Sequence, residues 1–579
     1  MTSAVRPAEP SFADIFTPKL VTVLREGYHL KDLRADTIAG LTVAIVALPL
    51  SMAIAIASGV TPDRGLYTAI IGGFIISALG GSRFQIGGPA GAFIILVAST
   101  VQLHGLDGLL LATMLSGFIL LAIGFLQLGT FIKYIPYPVT VGFTAGIAVI
   151  IFASQLKELL GLTLKGPEPG PLIPKLGAMT EALPTFSLAA TLLAALTIAI
   201  IVLLRRFKPH WPGLLIAVSF ASAATFVLGL PVDTIGTRFG GIPHSLPLPQ
   251  LPGFSLAKVQ EVFPAALSFA LLGSIESLLS AVVADSMTGR RHRSNCELVA
   301  QGFANIASAL FGGICVTGTI ARTATNIRAG ARGSVSGMLH AVFLLVFMLV
   351  AAPLASYIPL AALAGVLAVV AWNMAERHAF TTLLKASRGD AIVLVATFML
   401  TIFRDLTEGI LVGFGLSSLL FLHRMAQAVG VESARPLIEG DLPDSENGRA
   451  LYNAVTASDP DVVVYRITGA FFFGAAASVG AALEQIAEHP KAYVIDFSAV
   501  PVLDSTAAAT IEGFLRKAYK HGTMTYIAGA SPPIRRMLLQ HGVRAPRAQF
   551  EVDVNEAVMA ARSVIALQAG TAVPVERPA

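Results

Sequence analysis

Long stretches without Asp, Glu, Lys or Arg divide this chain. Runs of spanning length recur from Phe84 to Leu106, Gly108 to Ile132, Tyr134 to Leu156, Ser187 to Leu204 and Pro212 to Val232. A bilayer core needs about 20 apolar residues per helix. Lipid offers no partner for a backbone amide, so such runs are helical. Gly333 to Ala375 is uncharged for 43 residues and therefore holds two spans, with a turn near Tyr357-Ile358-Pro359. The pattern predicts fourteen spans, at 36–58, 63–81, 88–103, 108–131, 134–156, 186–204, 212–231, 260–285, 295–312, 318–330, 333–353, 358–375, 389–403 and 407–424. The last two are short: Ala391 to Phe403 is 13 uncharged residues and Gly409 to Leu422 is 14, which also suits a partly inserted hairpin.

Charge placement orders these spans. Loops after even-numbered spans carry Arg83, Lys133, Arg205-Arg206-Lys208, Arg290-Arg291-Arg293, Arg328 with Arg332, and Arg377, Lys385 and Arg388. Odd-numbered loops are poor in Lys and Arg or balanced by acids, as in Lys157 to Glu181. The positive-inside rule then puts both termini in the cytoplasm. Two stretches look like copies. Ser77-Ala78-Leu79-Gly80-Gly81 recurs as Ser308-Ala309-Leu310-Phe311-Gly312-Gly313, and Tyr134-Ile135-Pro136 recurs as Tyr357-Ile358-Pro359. The offsets are 232 residues from Gly81 to Gly313 and 223 from Tyr134 to Tyr357. Fourteen spans divide into seven and seven, over about 36–231 and 260–424. Because seven is odd, the second copy enters from the opposite side: the repeat is inverted. Inverted repeats point to a transporter whose site lies at the midplane, where the halves meet.

Composition agrees. The 579 residues are 55% hydrophobic and 13% charged, and the net charge of +5 is small and gives no reason to expect nucleic acid. Cys296 and Cys315 lack CxxC spacing and predict neither a disulfide nor zinc. Residues 1–35 are polar and Pro-containing and do not read as a signal peptide. No Walker A sequence and no paired-His metal motif occurs, so ATP-driven transport, an enzyme activity, a metal and a cofactor are not expected. From about Val429 the character changes. Residues 429–460 read as a linker, polar from Glu439 to Arg449. Residues 461–579 read as a small α/β domain, with strands at Val462–Ile467, Tyr493–Phe497 and Met524–Ala528 and helices at Ala477–Glu488, Thr506–Tyr519 and Pro532–Gln540.

The third span begins Gly87-Gly88-Pro89-Ala90-Gly91-Ala92-Phe93, and its counterpart begins Val316-Thr317-Gly318-Thr319-Ile320-Ala321-Arg322. Both follow a Gly pair, so both helices are expected to start inside the membrane. A helix starting there exposes unpaired N–H groups and the positive end of its dipole, and two such ends make an anion site. The plainer alternative is that the glycines only allow close helix packing. Glu276 lies mid-span, and a carboxylate in hydrocarbon is costly, which makes it a functional candidate. Burial favours its neutral form, as suits a proton carrier. Ser280 is one turn away on the same face and is expected to help Glu276 hold a proton or cation. Arg322, the one cation near either helix start, either charges the anion site or neutralises Glu276 in an ion pair. Pro49 interrupts the first span and frees a carbonyl there. Asp504-Ser505-Thr506 opens a helix as an N-cap, with a phosphorylation or nucleotide site as the sharper alternative.

The run Gly273-Ser274-Ile275-Glu276-Ser277-Leu278-Leu279-Ser280-Ala281, followed by Ala284-Asp285, resembles the eighth-span signature of the SulP/SLC26 anion transporters. So do Pro49-x-x-Met52-Ala53 and Gly318-Thr319-Ile320-Ala321-Arg322-Thr323, and the C-terminal part is similar to the STAS domain that ends these proteins. The resemblance implies a seven-plus-seven inverted repeat split into core and gate domains, an elevator-like motion, and a homodimer. It places substrate between spans three and ten, against spans one and eight. By resemblance and position together, the substrate residues are Leu50, Ile54, Ala90, Gly91, Ala92, Phe93, Gly318, Thr319, Ile320, Ala321 and Arg322. Eukaryotic relatives often carry Gln where Leu50 stands and Ser where Ala321 stands. Sodium-coupled bicarbonate members are similar but carry Asp at Glu276 and Thr at Ser280; Glu with Ser looks more like proton-coupled members. Ala507 stands where phosphorylated STAS relatives usually have Gly. The expectation is a bilayer-embedded, proton-coupled transporter of a small inorganic or carboxylate anion in a bacterial-type plasma membrane. Sulfate, bicarbonate and dicarboxylates are all open. The alternatives are an uncoupled channel or exchanger of the same fold, and a nucleobase–proton symporter.

Overall fold

A computed structural model describes residues 11–130, 136–166, 168–208, 211–404, 406–433, 461–484 and 490–568. Tyr134 and Ile135 of the second sequence repeat, and the polar stretch Glu439 to Arg449, lie outside them. The chain forms two compact units, Met1–Gly415 and Leu416–Ala579.

The first unit is helical. Among the described residues, eight helices are long and apolar enough to cross a membrane. Numbered to match the predicted spans, they include α1 (Leu30–Ala57), then the run Ile94–Phe125, which a non-helical Gly105 (φ 68°, ψ −173°) breaks into α3 and α4. Next come α5 (Tyr137–Leu160), α6 (Leu188–Phe207), α8 (Leu256–Thr288), α11 (Val335–Ala355), α12 (Leu360–Met374) and α14 (Leu406–Gln427), the last running from the first unit into the second. The other predicted spans are shorter. Span α2 is Pro62–Tyr67 and Gly73–Leu79 joined by a π-helical turn, Thr68–Gly72. The rest are α7 (Gly213–Leu228), α9 (Ser294–Leu310), α10 (Ile320–Arg328) and α13 (Arg388–Phe403). The final pair is thus two separate helices of 16 and 22 residues. Sequence reading took Arg377 to Arg388 as a loop; Arg377–Ala386 is instead a helix. Its uncharged middle, His378 to Leu384, is far shorter than a span, so a rule that looks for uncharged spans passes over it.

Two helix groups emerge from the packing. In one, α1 packs on α10 and α11, α8 and α9 pack on the α3–α4 run, and α2 packs on α9 and α11. In the other, α5 packs on α12 and α13, and α6 packs on α7 and α12. One apolar core, from Ala44 and Leu50 to Phe269 and Leu367, runs through both groups. Small residues set the closest crossings. A Cβ on Gly117 of α4 would lie 2.6 Å from the Gly302 carbonyl of α9, and one on Gly302 would lie 2.7 Å from the Gly117 carbonyl. In lipid, where burial gives helices little drive to associate, such backbone contact supplies the packing.

The second unit holds a five-stranded sheet in the order β3 (Gly430–Ser433), β4 (Val462–Thr468), β5 (Ala492–Asp496), β6 (Met524–Ala528), β7 (Gln549–Glu551). β3 is antiparallel to β4 and the rest are parallel. Residues assigned to the linker from sequence therefore supply an edge strand; four residues are too few to show a strand period. Helices α15 (Phe473–Glu484), α16 (Ser505–Lys520) and α17 (Pro532–Gln540) cover one face, and α18 (Val554–Gln568) the other. That accounts for the apolar run Ala492–Ile495 in β5, a strand buried along its whole length.

Candidate substrate site

Both predicted helix starts are real breaks. β1 (Gly87–Gly88) is followed by a 3-10 turn, Gly91–Phe93, that runs into α3. β2 (Thr317–Gly318) is followed by α10. The two strands pair antiparallel, Gly87 with Gly318 and Gly88 with Thr317. The helices therefore leave this ladder in opposite directions, with their amino ends at a shared level. Neither N-cap residue, Ala90 or Thr319, caps its first turn with a side chain. The first-turn amides of both helices are left for a ligand or water.

Polar side chains hold the extended segments in place. Thr319 donates from its amide (2.9 Å) and its hydroxyl (3.1 Å) to the Ile86 carbonyl, and the Ile86 amide donates to Thr323 Oγ1 (3.1 Å). Asn305 accepts from the Val316 amide (3.0 Å) and donates to its carbonyl (2.9 Å). Gln85 Nε2 donates to Ser277 Oγ (2.6 Å). In the amide orientation that satisfies its neighbours, Gln301 accepts from the Gly318 amide (2.9 Å) and from Ser277 Oγ (2.5 Å), and donates to the Val316 carbonyl (3.3 Å). A backbone that forgoes helix inside a membrane needs such partners.

Arg322 is 1% exposed and is the largest fully buried side chain of the described residues. Its Nη2 donates to Ser51 Oγ (3.2 Å) and to the Pro89 carbonyl (3.3 Å), while Nε and Nη1 have no partner among the described residues. The guanidinium lies against Gly88, where a side-chain Cβ would overlap Nη1. Glu276, 7% exposed on α8, makes no hydrogen bond or ion pair among the described residues. The ion pair between Glu276 and Arg322 offered by sequence reading is therefore not made: Arg322 turns toward α1 and the β1 strand instead. Ser280 is buried on the same face of α8 as Glu276, but its hydroxyl donates to Thr323 Oγ1 (3.1 Å), tying α8 to α10.

Of the remaining predicted residues, Leu50, Ile54, Ala90, Ala92, Phe93, Gly318 and Thr319 are buried, Gly91 and Ile320 are half-buried, and Ala321 is exposed. Phe93 meets Phe269 of α8 edge-on at 6.0 Å, so α3 and α8 touch beside the helix start. A cavity of about 540 Å³ opens at the odd-loop end between α1 and α3 on one side and α5 and α12 on the other; Ala53, Ile94, Ser154, Lys157, Lys175 and Arg238 are among its lining. No predicted site residue lines it, although Ala53 and Ile94 adjoin Ile54 and Phe93. Sequence reading passed over Ser51, Gln85, Ser277, Gln301 and Asn305. Uncharged polar residues within apolar runs were the available signal.

The Sulfate permease family model matches residues 33–397, and the STAS domain model matches 453–557. The chain belongs to the sulfate permease family. This family member is 40% identical over 523 residues to a Bacillus subtilis (strain 168) protein named for sulfate transport, YvdB, covering 90% of this chain and 95% of the relative. It is 33% identical over 525 residues to the bicarbonate transporter BicA of Synechocystis, covering 88% and 90%. Its fold matches murine Slc26a9, an anion transporter in the inward-facing state, with a TM-score of 0.83 at 18% identity over 97% and 96% of the two chains. This family member is thus a multi-pass membrane transporter of the anion class, with a C-terminal STAS domain, and not an enzyme.

Proposed function

We propose that this permease is a proton-coupled secondary transporter of a small anion, sulfate first among the candidates, with the anion bound where α3 and α10 begin. The observation that carries the reading is the separation of the two buried charges. Among the described residues, Arg322 keeps two unpartnered donors beside the paired helix starts, and Glu276 has no hydrogen-bond or ion-pair partner. An ion pair would cancel both charges internally and leave neither for cargo. Held apart, the cation and the uncapped first turns bind an anion, and the carboxylate takes the proton. With Glu276 protonated, Arg322 and a monoanion sum to zero charge; with a dianion such as sulfate the loaded site is left with one net negative charge, so one proton leaves its transport electrogenic.

The two helix groups support an elevator motion, in which the group bearing α3 and α10 slides against α5 and α12. A Cβ on Gly91 would meet Ile151 Cδ1 of α5 at 3.2 Å and Met374 Sδ of α12 at 3.7 Å. Apolar side chains over the start of α3 give a sliding contact that costs little to break and remake. Cytoplasmic termini and a homodimer complete the reading.

The test is uptake of labelled sulfate, bicarbonate and fumarate into proteoliposomes, with and without an inward proton gradient, for wild type and Glu276→Gln. Gradient-driven uptake of one anion, lost in the variant, is expected. Equal uptake by both proteins regardless of the gradient refutes coupling through Glu276 and supports an uncoupled exchanger or channel.

A further inference from the structure

We infer that the chain binds an anionic phospholipid in a groove between the even-loop ends of α6 and α12 and the flank of α5, independently of its transport site. The groove has a volume of about 920 Å³, at the upper end of the roughly 300–1,000 Å³ of small-molecule sites. Its floor is hydrocarbon: Phe152 of α5, Ile198 and Val202 of α6, with Phe152 and Val202 exposed. Its rim holds two guanidinium groups. Arg377 stacks over the exposed Trp372 ring at 3.9 Å, and Arg205 donates to Asn373 Oδ1 at 2.6 Å. Glu376 and His378 share this rim, but neither guanidinium is paired with a carboxylate among the described residues.

Charge and depth together name the occupant. An apolar floor facing the membrane takes acyl chains, while planar guanidinium forks bind phosphate through paired hydrogen bonds. Stacking on Trp372 and the bond to Asn373 hold both groups in place before the ligand arrives, which lowers the ordering cost of binding. Basic pockets between transmembrane helices on the cytoplasmic side are where anionic headgroups bind, and charge placement puts this rim on that side. The source is a lipid of the adjoining leaflet.

The full chain is reconstituted into nanodiscs of phosphatidylglycerol or of phosphatidylcholine, its melting temperature is measured, and retained lipid is counted by native mass spectrometry. Wild type is expected to melt higher in phosphatidylglycerol and to retain it. Arg205→Gln with Arg377→Gln is expected to lose both effects while melting like wild type in phosphatidylcholine. Arg290→Gln with Arg291→Gln, which removes two exposed charges from another even-numbered loop, is expected to keep both. The inference is overturned if the first pair keeps the preference, if the control pair loses it equally, or if soluble glycerol phosphate gives the same stabilisation.

Discussion

Replacing Gly88 with Ala tests whether the Arg322 guanidinium belongs to the anion site. The added Cβ overlaps Nη1, so the guanidinium must withdraw from the β1 strand. Withdrawal breaks the Nη2 bonds to Ser51 Oγ at 3.2 Å and to the Pro89 carbonyl at 3.3 Å. A hydrogen bond to a charged group contributes about 1.5–3 kcal/mol, and these two lie at the long end of the range. Discounted for that length to about 1–1.5 kcal/mol each, they amount together to roughly 2–3 kcal/mol of positioning for a side chain with no other partner among the described residues. If all of it appears in substrate affinity, KM rises roughly 30- to 150-fold, since about 1.4 kcal/mol is tenfold. Ser51→Ala removes one acceptor and is expected to raise KM by roughly a factor of 5–10. Both are read from concentration-dependent uptake into proteoliposomes, with melting temperature as the check on folding. A Gly88→Ala protein that melts like wild type and keeps KM within about twofold would show that the guanidinium does not hold the anion.

Gln301→Leu leaves the Gly318 amide and Ser277 without a shared partner, and the melting temperature of the full chain is expected to fall by an amount equivalent to about 1–3 kcal/mol; an unchanged melting temperature removes Gln301 from the support of β2. Gly302→Val drives a side chain into the Gly117 carbonyl 2.7 Å away and is expected to abolish the monodisperse, folded protein seen by size-exclusion chromatography. In the STAS domain, Asp504 accepts from the Ala507 amide (2.8 Å) and from the Phe473 amide (2.9 Å), whereas Ser505 is exposed and, among the described residues, its hydroxyl reaches only Met537 Sδ at 3.9 Å. Asp504→Ala is expected to cost about 1–2 kcal/mol and to speed limited proteolysis of that domain in the full chain, while Ser505→Ala leaves it unchanged; equal sensitivity of both variants sinks the capping assignment.

Uncharged runs and the charges between them were enough to place the membrane spans, because a bilayer imposes the same demand on every residue of a span, but not the Arg377–Ala386 helix between spans. The broken starts of α3 and α10 were also legible, since Gly87-Gly88 and the residues before Gly318 disfavour continuous helix at equivalent places in two copies. What sequence could not reveal is contact between distant positions. The Gly87–Gly318 pairing joins residues in different halves, and nothing local encodes it. The supposed pairing of Arg322 with Glu276 failed for the same reason: proximity along the predicted spans does not say on which face a long side chain leaves its helix. Ser51, whose hydroxyl takes that guanidinium, looked like an ordinary small residue next to Pro49. Gln85, Gln301 and Asn305 were overlooked because attention went to formal charge, although uncharged amides meet most of the hydrogen-bonding needs of the extended segments.

The ladder between β1 and β2 also bears on how the gene can be recombined. Gly88 in the first copy makes room for Arg322 of the second, and Gly318 in the second copy makes room for Gln85 of the first. Each half carries the empty space that the other half's side chain fills. A chimera that joins the first seven spans of this chain to the last seven of a relative inherits one member of each pair from each parent. Such a hybrid folds around its midplane only where both parents carry the same partners, whatever the overall identity between them.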